Sequence, residues 1–97
     1  MVKHIILWKL KEKSNTDEVK QGIKANLEDL KGKISGLVEI KVQTDGLASS
    51  NADVMLYSVF EDEKALKEYA THPSHVFVAD NFVRPFTETR MCLDFLE

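Results

Sequence analysis

One cysteine, two prolines and four glycines among 97 residues leave this chain with few of the residues that staple or interrupt structure. The lone Cys92 cannot close an internal disulfide and fits a reducing compartment, so a cytoplasmic location is expected. No run of about 18 apolar residues is present, which excludes a transmembrane helix, and no membrane partner is expected. The apolar stretch Ile5-Ile6-Leu7-Trp8 is too short for a signal-peptide core, and no small-residue cleavage site follows it. Charge of one sign is scarce as well: 13 basic residues against 16 acidic ones leave a formal net charge of −3. Without a Lys/Arg cluster there is no footprint for phosphates, so no nucleic-acid partner is expected. Gly46-Leu47-Ala48 lacks the further glycines and the Lys-Ser/Thr of a phosphate-binding loop. Nothing in the chain singles out haem or another cofactor, and none is expected.

What is present is a chain with 43% hydrophobic residues and the length of one ordinary domain, expected to span 1–97. Residues 2–10 read as a strand. Ser14-Asn15-Thr16-Asp17-Glu18 reads as a helix start, with Asn15 or Thr16 as cap and two acids at the positive end of the dipole. Val19, Ile23, Leu27, Leu30 and Ile34 recur at helical spacing and predict one helix running toward Gly32 and Gly36. Strands follow over 37–44 and 54–60, separated by a loop of turn-forming residues. Asp62 caps a second helix whose inner stripe is Ala65, Leu66, Tyr69 and Ala70. Pro73 breaks it at His72 and starts a short third helix over 73–83, with Val76, Ala79 and Val83 inward. Pro85 ends that helix, and 87–96 is the last strand.

The order β-α-β-β-α-(α)-β predicts an α+β, ferredoxin-like antiparallel sheet with its helices on one face. Strand parity then turns His4, Ile6, Trp8, Leu56 and Asp94 toward the helices. The other face carries Ile5, Leu7, Met55, Tyr57, Val59, Met91, Leu93 and Phe95, where a monomer would show polar residues to water. Two such sheets packed face to face give a symmetric homodimer with a barrel-like centre, a dimeric α+β barrel.

The residues able to do chemistry gather in one region of this plan. Tyr69 lies near the end of the second helix and His75 in the first turn of the third, so both look into the space between helices and sheet. His4 on the first strand and Asp94 on the last become neighbours if those strands pair antiparallel. Ile6, Trp8 and Leu56 would wall the apolar pocket behind them, although Trp8 fits the core equally well. A histidine base and a tyrosine donor suit proton abstraction beside a carbonyl, with the hydroxyl stabilising the oxyanion. Structural roles compete: Tyr69 can simply fill the core, His72 can cap the third helix, and His4, His75 and Asp94 can form a passive network. His72-x-x-His75 spans a proline break without an adjacent Cys or carboxylate, so no metal is expected. Cys92, in mid-strand, reads as a buried inert thiol.

Val2-Lys3-His4-Ile5-Ile6-Leu7, the motif Tyr69-x-x-His72-Pro73-x-His75 and the closing Asp94-Phe95 resemble the stress-responsive A/B barrel domain family. The resemblance spans nearly the whole chain and implies a dimeric α+β barrel. Its plant polyketide cyclases, similar to olivetolic acid cyclase, close an aromatic ring by aldol condensation with a Tyr and a His. The resemblance places those roles on Tyr69 and His75, with His4 and Asp94 at supporting polar positions, and His72 of the motif is taken as a further supporting polar residue. Three functions stay open at this point: binding of a small apolar or aromatic carbonyl ligand, a cyclase- or isomerase-like reaction, and a structural oligomer.

Overall fold

The computed structural model of the protein describes residues 1–97. Four strands, β1 (Val2–Leu10), β2 (Leu37–Gln43), β3 (Val54–Phe60) and β4 (Thr87–Leu96), form one sheet in the order β2-β3-β1-β4. All three neighbouring pairs are antiparallel. Three helices, α1 (Asp17–Glu28), α2 (Glu63–Thr71) and α3 (Pro73–Val78), complete the ferredoxin-like plan read from the sequence. No helix is long and apolar enough to cross a membrane.

The caps follow from side-chain chemistry. Thr16, not Asn15, caps α1, its Oγ1 accepting from the Val19 amide at 3.2 Å. Asp62 caps α2 in the same way, at 2.8 Å from the Ala65 amide. The helix predicted to continue to Ile34 stops at Glu28 instead. Gly32 at φ 84° and Gly36 at φ 85° take backbone conformations that break the helical path. Leu30 and Ile34 still reach the core, now from turns. Glu28 fastens this end of α1 to the sheet, accepting from the Val42 amide at 3.0 Å.

The third helix also departs from expectation. It is α-helical only over Pro73–Val78, then widens into a π-turn (Ala79–Val83) and a 3-10 turn (Arg84–Phe86). Ala79 and Val83 are buried as expected, together with Val78, whereas Val76 is only half-buried. The core between helices and sheet centres on Phe60, Ile23, Leu27, Leu56 and Val42, all 2% exposed or less. Each such side chain contributes about 1.5–3 kcal/mol by leaving water.

The opposite face of the sheet is apolar and largely open. Leu7, Met91, Leu93 and Phe95 are exposed there, at 41%, 71%, 65% and 37%. Ile5, Met55 and Tyr57 are half-buried. Val59 departs from the expected open face: flanked in register by Lys3 and Glu39, it is buried within the single chain.

Candidate functional site

Between the sheet and α2–α3 lies a cavity of about 820 Å³ that opens along β4. Ile6, Trp8 and Leu56 form its floor, and all three are buried. Trp8 is therefore core and cavity wall at once. Tyr69, His75, Ala79 and Val83 line the helical side, while Lys67, Arg84 and Arg90 bring positive charge to the lining. β4 is an edge strand with no helix above it, which leaves this side of the cavity accessible.

Tyr69 and His75 meet as expected, with ring centroids 4.1 Å apart and planes inclined by 34°. The break at Pro73 makes this contact, because it turns α3 back over the end of α2. Tyr69 is 1% exposed, and its ring also packs on Phe60 at 4.9 Å. Its hydroxyl has no hydrogen-bond partner. Burial alone raises its pKa well above the usual tyrosine range, so the group is a neutral donor. His75 Nδ1 lies 3.3 Å from the Ala70 carbonyl. A carbonyl only accepts, so Nδ1 carries the proton and Nε2 keeps its lone pair. Burial lowers the His75 pKa below the ordinary value. The Ala70 carbonyl opposes that shift, and Arg84, His4 and Arg90 reinforce it. His75 is thus a neutral imidazole at pH 7, able to take up a proton.

His4 and Asp94 are register partners across β1 and β4, and the Asp94 carboxylate bonds His4 Nδ1. His4 is 6% exposed and packs edge-on to Phe60 and Tyr69, at 6.2 and 6.3 Å. The polar cluster thus holds Tyr69, His75, His4 and Asp94 around one cavity.

Of the two roles open to His72 the structure shows the cap and not the place at the site, and the expectation for Cys92 is corrected. His72 does not line the cavity. Its Nδ1 accepts from the Ser74 amide at 3.1 Å and caps α3, the local role open to an imidazole one residue before a helix start. Cys92 is not buried but exposed, because β4 has no cover on the helix side. Its Sγ lies 3.4 Å from Asp94 Oδ1 and 3.7 Å from His4 Nδ1. Partial desolvation at the cavity wall, followed by the hydrogen bond to the Asp94 carboxylate, raises its pKa above the ordinary thiol value. The row Arg90-Cys92-Asp94 on the cavity face could have been read from strand parity, since alternate residues share a face.

The sequence profile described as Stress responsive A/B Barrel Domain matches residues 2–97. The chain belongs to that family. A dimeric protein of unknown function and ferredoxin-like fold from Bacteroides fragilis is similar to this A/B barrel protein. It shares 33% identity, with 97% of this chain and 93% of that one covered and a TM-score of 0.87. A dimeric ferredoxin-like protein of unknown function from Thermobifida fusca shares 26% identity over 97% and 88% of the two chains, at a TM-score of 0.82. The hydroxynitrile lyase from Passiflora edulis, 19% identical over 97% and 90% with a TM-score of 0.81, shares the fold. No curated protein matches the chain. The dimeric relatives support a homodimer for this A/B barrel protein, in agreement with its open apolar sheet face.

Proposed function

We propose that this A/B barrel protein is a homodimer that binds a small apolar or aromatic carbonyl compound in the cavity of each subunit. One observation carries the reading: the buried Tyr69 hydroxyl has no partner in a wall of the cavity. An orphaned buried donor costs about 1–3 kcal/mol, and a ligand carbonyl oxygen would relieve that cost. The apolar floor of Ile6, Trp8 and Leu56 suits the body of such a ligand. Exposed Cys92 fits a reducing, cytoplasmic setting.

The contact between Tyr69 and His75 favours a second reading, an acid–base enzyme resembling the plant polyketide cyclases. In it, the lone pair of His75 takes the proton beside the carbonyl, and Tyr69 donates to the oxygen as charge builds there. Asp94 would orient His4 at the edge of the same site. The fold already hosts an enzyme in the hydroxynitrile lyase, although a shared fold does not transfer a reaction.

Calorimetry with a panel of hydroxylated acetophenones and benzaldehydes tests the binding reading. Wild-type protein should bind at least one member, and Tyr69→Phe should weaken it by about 3- to 10-fold, the equivalent of one hydrogen bond. Equal binding by the Phe variant, or none by the wild type, would overturn it. Turnover that falls in both Tyr69→Phe and His75→Gln while binding persists would favour the enzyme.

A further inference from the structure

We propose that His4, Cys92 and Asp94 form a three-ligand site for a zinc-class divalent ion on the β4 side of the cavity. Cys92 and Asp94 are two apart on one strand and so share a face, and His4 stands opposite Asp94 on the adjoining strand. Adjacent hydrogen-bonded strands hold such donors more rigidly than loops would. Their donor atoms, Nδ1, Sγ and a carboxylate oxygen, all lie within 4.8 Å of one another.

The spacing matches one ion. Bond lengths of about 2.3 Å to sulfur and about 2.0–2.1 Å to nitrogen or oxygen, at tetrahedral angles, put sulfur about 3.5 Å from the other two donors. The observed distances are 3.7 Å from Sγ to Nδ1 and 3.4 Å from Sγ to Oδ1. Only the His4–Asp94 pair is too close, because a hydrogen bond now joins it. On metallation the carboxylate must withdraw by about 1 Å. Asp94 has room to do so, its side chain being 43% exposed on an edge strand, whereas His4 at 8% is held by its packing.

The donor set selects the ion. A thiolate beside an imidazole disfavours magnesium and calcium and suits zinc or a related transition ion. Binding moves the imidazole proton from Nδ1 to Nε2 and expels the thiol proton to solvent, so the ion gains one anionic sulfur ligand. Three protein ligands leave a fourth position for water or a ligand oxygen, the arrangement of catalytic rather than structural zinc sites. The site goes beyond carbonyl binding at Tyr69 and stands without it.

Cobalt(II) added to the full-length reduced protein, with phosphine reductant to keep the thiol free, tests the site. The expected result is one ion per chain with a thiolate-to-cobalt charge-transfer band, displaced by zinc. Cys92→Ser should abolish the band while the circular dichroism spectrum stays unchanged, since Cys92 is exposed. Asp94→Asn should weaken binding by at least roughly 10-fold. No binding at stoichiometric micromolar cobalt, a spectrum without the charge-transfer band, or equal affinity in Cys92→Ser would each overturn the proposal. These readouts do not depend on any carbonyl ligand, so failure here leaves the Tyr69 reading untouched.

Discussion

His4 and Asp94 face each other across the β1–β4 ladder, and the carboxylate accepts the Nδ1 proton of a ring that is 8% exposed. This hydrogen bond orients the ring and turns Nδ1 toward the carboxylate. In the metal-free protein, long-range proton–nitrogen spectra should show His4 protonated at Nδ1. Asp94→Ala should release the ring to a mixture of tautomers. An unchanged tautomer in the variant would show that another group orients the ring.

Tyr69→Phe should stabilise the unliganded protein by about 1 kcal/mol. It keeps the packing against Phe60 and His75 and removes a buried hydroxyl without a partner. Urea denaturation of both proteins measures the difference. A loss of 1 kcal/mol or more would mean that the hydroxyl is bonded in solution.

Leu93→Lys should yield a folded monomer. Leu93 is 65% exposed in the single chain, so the subunit tolerates the charge. An unpaired ammonium trapped between two apolar sheet faces costs several kcal/mol. Sedimentation should show a wild-type dimer and a monomeric variant with the same secondary structure. A dimer that survives the substitution would place the interface elsewhere.

Gly36→Ala should destabilise by about 2–4 kcal/mol, while Gly32→Ala should cost only about 1–2 kcal/mol. Both glycines have φ near +85°, but a Cβ at Gly36 would come within 2.5 Å of the Ala65 Cβ, and none lies near Gly32. Paired thermal melts separate the backbone strain from the collision with α2.

Stability should fall as the pH drops below about 6.5, the ordinary histidine value, partly through His75. Its folded-state pKa is lowered by burial, so the unfolded chain binds the proton first and gains from acid. The loss runs from the unfolded pKa down to the folded one, and above that window the contribution is complete. His75→Gln should flatten the urea midpoint between pH 7.5 and 5.5 relative to wild type.

Strand and helix order, the Asp62 and His72 caps, a cap at Asn15 or Thr16, the pairing of His4 with Asp94 and the second apolar sheet face were all legible in the chain itself. Each rests on a local rule: a capping side chain, a proline break, a two-residue or 3.6-residue period. Such rules act over a few residues and do not require the rest of the fold. The end of α1 at Glu28, the π-turn after Val78 and the buried Val59 depended instead on how distant segments pack. The same holds for the cavity. That Tyr69 has no partner, and that Cys92 joins His4 and Asp94 in an open cluster, depend on β4 being an edge strand that α3 does not cover. Parity could place Cys92 on that face, but only three-dimensional packing decides whether a face is covered, because cover comes from segments far away in sequence.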